Sequence, residues 1–219
     1  MARIRACTLC AAHLPLGPRP VLQASRTSRL LVTSQAPGRK VHESGVPFND
    51  VSGNRLREWM GIDRETFYDA AQVAIIPMGF CYPGTGKGGD LPPRPECAPT
   101  WHPQLLPRLT QLQLTLAIGQ YALVGMLGKE HCAKRLTDTV RAWREHLARA
   151  SVLPLPHPSP RNKLWMQRNP WFEAELLPVL RERVAAALAQ SAPRVTMSSS
   201  PNPTKISPAP PSTNRRSRR

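Results

Sequence analysis

Arg29-Leu30-Leu31-Val32-Thr33-Ser34-Gln35-Ala36-Pro37-Gly38 is the stretch on which the fold turns. Its first half is an apolar run of strand length, and Pro37-Gly38 then breaks it into a tight loop. The same order returns far downstream, where Ser151-Val152-Leu153-Pro154-Leu155-Pro156 leads into His157-Pro158-Ser159-Pro160-Arg161-Asn162. Between them, Gln72 to Met78 carries Val73-Ala74-Ile75-Ile76, and Leu114-Thr115-Leu116-Ala117-Ile118 ends in the turn Gly119-Gln120-Tyr121-Ala122. Helical patterns separate these four runs, and strands alternating with helices imply an α/β protein with a four-stranded parallel sheet. Ligands of such sheets bind beyond the carboxyl ends of the strands, so the two Pro-containing loops are placed to form two halves of one site.

The intervening segments complete the expectation. Residues 1 to 28 read as irregular, and the stretch from Ala36 to Val51 reads as a loop with Gly38, Gly45 and Pro47. Ser52 is the expected N-cap of a helix through Asn54 to Met60 that stops at Gly61, and a second short helix starts near Asp63. Gly79 to Pro99 is a long Gly- and Pro-rich loop, and a loop of that length in a compact domain is functional or held by something. A helix is expected from Pro103 to Leu112. The last helix, Pro170 to Gln190, repeats Leu176, Leu177, Leu180, Val184 and Leu188 at helical spacing.

With 219 residues, the chain suits one domain over 1–190 with a disordered basic tail over 191–219. No apolar run reaches the roughly 18 to 20 residues that cross a bilayer, and the N-terminus lacks the apolar core of a secretory signal. A soluble, cytoplasmic monomer is expected. The formal charge is +16, and six of those charges (Arg194, Lys205, Arg215, Arg216, Arg218, Arg219) follow Ser191 with no acid among them, so the body keeps +10. That excess suits a polyanion such as nucleic acid as well as it suits a merely basic surface.

Four of the five cysteines fall as Cys7-x2-Cys10 and Cys81-x15-Cys97. A CxxC pair plus two thiols in a long loop supplies four ligands to one metal centre, either zinc or a 4Fe–4S cluster; free thiols are the bland reading. Cys132, among helical residues, reads as core.

Together these residues resemble the uracil-DNA glycosylase superfamily, most closely its iron–sulfur branch, family 4. That branch has a Gly-Glu-Ala-Pro-Gly motif, matched by Ser34 to Gly38, and a Pro-Phe pair, matched by Pro47-Phe48. The His157-Pro158-Ser159-Pro160 loop looks more like that of the conventional uracil-DNA glycosylases, and the order and spacing of the cysteines look like family 4. The resemblance covers roughly residues 5 to 190. It implies a three-layer α/β/α sandwich and excision of uracil, or another deaminated base, from a nucleotide flipped out of DNA. It also implies a structural 4Fe–4S cluster on Cys7, Cys10, Cys81 and Cys97, with zinc as the alternative. Base contacts fall to Gln35, Ala36, Pro37, Gly38 and the stacking ring of Phe48, which otherwise reads as core. His157 would donate to the leaving base, and Gly119, Gln120, Ser159, Pro160 and Arg161 would meet DNA.

The chain also departs from the pattern. Ala36 stands where the conventional enzymes carry a water-activating Asp, as it does in family 4, so the acid must come from elsewhere. Asp50 is the first candidate, with a helix cap as its competing role; Glu43 and His42 are in reserve. Ile75-Ile76-Pro77-Met78-Gly79 offers no Asn to read a uracil edge, which leaves hypoxanthine or xanthine open as substrates and Gln35 or backbone as the reader. Pro83 to Gly89 fails as a phosphate loop, because Cys81 holds the first Gly position and Gly88 follows Lys87. The competing functions are a binder that holds uracil or abasic DNA without releasing base or traps it covalently, with His42 as a nucleophile toward the sugar, and a zinc-ribbon interaction protein.

Overall fold

The computed structural model describes residues 1–189. In chain order the elements are α1 (Ala2–Arg5), β1 (Leu30–Thr33), α2 (Arg39–Ser44), α3 (Val51–Met60), α4 (Arg64–Tyr68), β2 (Val73–Ile75), the paired short strands β3 (Thr85–Gly86) and β4 (Gly89–Asp90), and α5 (Cys97–Leu105). There follow β5 (Leu114–Ile118), α6 (Gly119–Leu127), α7 (Leu136–Arg141), α8 (Trp143–Ala150), β6 (Val152–Leu155), α9 (Lys163–Arg168) and α10 (Leu177–Ala189). The basic tail expected after Ser191 lies outside the described residues.

The central sheet runs β2-β1-β5-β6, and every pairing in it is parallel. Strand alternation makes the layers, because successive side chains leave opposite faces. Leu30, Val32, Val73, Ile75, Leu116 and Ile118 point into one core, closed by Leu56, Trp59 and Met60 of α3 and by Leu177, Leu180 and Val184 of α10. Leu31 and Ala74, with Ile76 just past β2, point the other way, against Trp101 and Leu105 of α5, while Ala117 packs on Ala122 and Leu123 of α6. Helices therefore cover both faces, and the fold is the expected three-layer α/β/α sandwich with a four-stranded parallel sheet. Each strand residue is buried on its own side, which is why the runs read as continuously apolar.

Four local expectations are corrected. The N-cap of α3 is Asp50, not Ser52: its Oδ1 accepts the Gly53 N–H at 2.8 Å. The stretch 36–51 is not all loop, since Arg39–Ser44 makes a short helix between Gly38 and a left-handed Gly45. The long loop 79–99 contains the β3–β4 hairpin, closed by the Leu91 N–H on the Gly84 carbonyl at 2.8 Å. The following helix begins at Cys97, not Pro103, because Pro99 falls in its first turn, where a missing N–H costs nothing.

The N-terminal segment is tied to the sheet by the antiparallel bridge Gln23–Ile75 and by the Val21 N–H on the Phe80 carbonyl at 2.7 Å. That strap carries Cys7 and Cys10 to the side of the sheet where the chain leaves β2.

Candidate active site

The loops after β1 and β6 converge on one cleft of about 480 Å³, lined by Gln35, Ala36, Pro37, Gly38, Phe48, Asp50, His157, Ser159 and Arg161 among others. A volume of that size suits a small ligand. The first loop is fixed from beneath by the chain leaving β2: the Met78 N–H donates to the Ser34 carbonyl at 2.8 Å and the Gly79 N–H to the Gln35 carbonyl at 2.9 Å. The second loop is fixed by Asn162, whose Nδ2 donates to the His157 carbonyl at 2.7 Å, and by Arg55 of α3, which donates to the Ser159 carbonyl at 3.4 Å. The Ser159 hydroxyl accepts the Arg161 N–H and starts a single helical turn.

His157 is half-buried in the cleft. Desolvation pushes its pKa below the ordinary histidine value, against the upward pull of the Asp50 and Asp90 carboxylates, so the imidazole is neutral at neutral pH. A neutral ring still offers one N–H donor.

Phe48 lies where the cleft meets the core. Its ring lines the cleft and belongs to the core, packed edge-on against Phe67 with centroids 6.1 Å apart. Its backbone is left-handed, φ 52°, which is uncommon for a bulky residue and marks a constrained position. The constraint has a visible partner: a Cβ on Gly53 would stand 1.8 Å from the Phe48 carbonyl oxygen, so only glycine lets α3 start under that turn.

Some expected residues have other employment. The Gln35 amide N–H group donates to the Leu91 carbonyl at 2.8 Å and the Asp90 carbonyl at 3.3 Å, so it holds the β3–β4 hairpin. Asp50 lines the cleft and caps α3 at once. Glu43 is exposed and pairs with Arg39 at 2.9 Å; His42 is buried near the Tyr82 ring, and neither lines the cleft. Pro160 is exposed at the loop tip. Gly119 and Gln120 sit at the carboxyl end of β5 outside the cleft, Gln120 on a neighbouring Pro-rich groove. Pro77 lines the cleft at the exit of β2, its carbonyl bonded to His102 Nε2 at 3.0 Å.

Two cleft residues were missed by sequence reading. Asn162 left only a weak signal, an amide five residues after His157. Asp90 left none, because the hairpin that presents it was read as open loop.

The four cysteines meet elsewhere. Cys7, Cys10, Cys81 and Cys97 line one narrow cavity of about 20 Å³ with Leu9, Leu14, Phe80 and Trp101. The Phe80 N–H donates to Cys97 Sγ at 3.3 Å. Burial pushes the thiols of Cys10 and Cys81 up and that of Cys97 up to about 12. Among the described residues no group of three or more His, Cys, Asp or Glu is placed to hold a single metal ion. Four thiols on one mostly apolar cavity, with a backbone N–H donated to one sulfur, are the donor type that thiolate-bound metal groups use. Cys132 is outside this cavity.

No described helix is long and apolar enough to cross a membrane. Among known protein families, the model of the Uracil DNA glycosylase superfamily matches residues 22–181.

Proposed function

This chain belongs to the uracil-DNA glycosylase superfamily, with the DNA glycosylase type of function that membership carries, and from that premise we propose that it excises uracil, or another deaminated base, from DNA. The observation that carries the reading is the convergence of the two Pro-containing loops on one cleft that holds both Phe48 and His157. A base can enter such a site only when flipped out of the stack. Its ring then lies on Phe48, and its edge faces the backbone of Gln35 to Gly38. With Pro77 at the exit of β2 and the Gln35 Nε2 engaged by the hairpin, that edge is read by backbone groups; the family membership puts uracil first, with hypoxanthine and xanthine as the other candidates.

As the bond between C1′ and the base nitrogen breaks, its electron pair leaves with the base, and charge builds on the base oxygen. His157, neutral and partly desolvated, donates a hydrogen bond to that oxygen, and a donor preorganised in a site sheltered from water is worth more than the same donor in bulk. Asp50 adds fixed negative charge beside the electron-poor sugar. Ser159, Pro160 and Arg161 press on the DNA backbone, with Gly119 and Gln120 along the same edge of the sheet for the flanking strand.

For the cysteine cavity we propose a structural 4Fe–4S cluster in preference to zinc. The reading rests on four thiols lining one cavity, in an order and spacing that resemble the iron–sulfur branch. When bound, the group would supply cross-links between the N-terminal segment and the 79–97 loop.

The test is to incubate the protein with single- and double-stranded oligonucleotides carrying uracil, hypoxanthine, xanthine or thymine opposite guanine, then cleave abasic sites with alkali. Strand cleavage at one base assigns the substrate, and His157→Ala should lower the rate roughly 100- to 1,000-fold. No cleavage at any base by the wild-type protein overturns the enzyme reading; tight retention of uracil or abasic DNA would then identify a binder.

A further inference from the structure

Ala36 leaves the first loop without an acid, and one oxygen of Asp50 is held by the N-terminus of α3. The cleft has a third wall. The β3–β4 hairpin stands between the two loops: Gln35 of the first donates to its Asp90 and Leu91 carbonyls, and the Arg161 guanidinium of the second lies 2.9 Å from where a Cβ on Gly89 would be.

Asp90 is the acid this wall presents, and it lines the cleft with His157. Its Oδ1 accepts from the Thr85 hydroxyl at 3.3 Å, and Thr85 in turn is 2.6 Å from the Tyr82 hydroxyl. With Thr85 donating to Asp90, Tyr82 donates to Thr85, so a two-hydroxyl chain orients the carboxylate. The other oxygen, Oδ2, points at the first loop, 3.2 Å from the place a Cβ on Gly38 would take. Among the described residues Asp90 closes no salt bridge, and the side chain is exposed to water that a bound nucleotide would share. Asp90 thus has its carbonyl and one carboxylate oxygen held by neighbours and its other oxygen against the first loop.

Building on the glycosylase reading, we propose that Asp90 is the catalytic carboxylate of this cleft, the base that activates the attacking water. In the step, the bond from C1′ to the base nitrogen breaks and its electron pair leaves with the base. The water oxygen bonds to C1′, and the proton it sheds passes to the Asp90 carboxylate. That proton then returns through solvent to the base anion, so the sum is one water consumed, one abasic sugar and one neutral base formed. Until the proton arrives, the carboxylate also lowers the energy of the oxocarbenium-like sugar.

The experiment is single-turnover excision by wild type, Asp90→Asn and Asp90→Glu on whichever base the wild type removes. Binding to abasic-site DNA and the pH–rate profile are measured alongside. Asp90→Asn should lose roughly 100-fold or more in rate, within the range of general-base catalysis, while binding stays within about 3-fold. Its acid limb should flatten, and Asp90→Glu should recover part of the rate. If Asp90→Asn excises within about 3-fold of wild type, or loses binding as steeply as rate, the assignment to Asp90 fails while the glycosylase reading stands. If the wild-type protein excises nothing, both fall together.

Discussion

The loop cleft and the cysteine cavity grow from one strand exit: Pro77 lines the first, and Gly79, Phe80 and Cys81 line the second. They are built by opposite means. The cleft takes its loops directly from β1 and β6, so the sheet register fixes where His157 stands relative to Gln35, and hydrogen bonds from Asn162 and Met78 finish the placement. The cavity joins an irregular N-terminal segment to a long loop with little regular structure of their own. A site on strand ends is preorganised by the core. One made from loops leans instead on ties such as the Val21 N–H on the Phe80 carbonyl.

The sharpest way to break the comparison is Gly53→Ala. The added Cβ would overlap the Phe48 carbonyl, and backbone on both sides leaves no flexible side chain to yield. The start of α3 or the left-handed turn at Phe48 has to shift. A cost on the order of 3 kcal/mol is expected, with excision lost because the stacking ring and Asp50 move together. Metal content of the purified protein should not change, since the cysteine cavity is elsewhere. Urea unfolding, excision and metal analysis on one preparation decide it; loss of metal along with excision would mean the two regions are one cooperative unit.

Those two regions were unequally legible in the sequence. The β5 run Leu114–Ile118 is observed with the bounds read from its apolar residues, and the two Pro-containing loops end their strands as expected, because both depend on local pattern. The four cysteines converge as their spacing implied, although Cys97 opens α5 instead of lying in loop. Asp90 escaped because its place comes from hydrogen bonds to Gln35, 55 residues away in sequence, and from a hairpin with only two residues in each strand. The sequence offers both Ser52, as the expected N-cap, and Asp50, with a cap as its competing role, since both residue types suit the position and only backbone geometry chooses between them.

A middle-sized effect is expected from Cys97→Ser. If the cavity holds a group that only fastens segments, its loss is a folding effect, because metal binding energy at a structural site is folding energy. A loss of about 2 kcal/mol would lower Tm by roughly 4 to 8 °C in a domain of this size. The brown absorbance of an iron–sulfur cluster should fall, while excision per folded molecule stays within about 3-fold. A rate that falls in step with the absorbance would instead couple the cavity to the chemistry and erase the division of labour between the regions.

The smallest effect is a pH dependence that compares one histidine from each region. Burial pushes His157 in the cleft and His102 beside the cavity below the ordinary histidine value near 6.5, as it does His42 and His146. The folded protein therefore keeps these rings neutral where the unfolded chain takes up protons. Their contribution to stability is complete above about pH 6.5, declines as pH falls toward the folded values, and levels off below them. The window from pH 7.5 to 5.5 lies above the usual carboxylate range, so histidines dominate the change. The urea midpoint of the wild type should be lower at pH 5.5 than at 7.5, and His157→Asn and His102→Gln should each shrink that difference. His102, at 7% exposure with its ring stacked on Phe80, is the comparison group outside the cleft. An undiminished difference in His157→Asn would show that water reaches the cleft imidazole freely, and the argument for a sheltered donor at the leaving base would lose its footing.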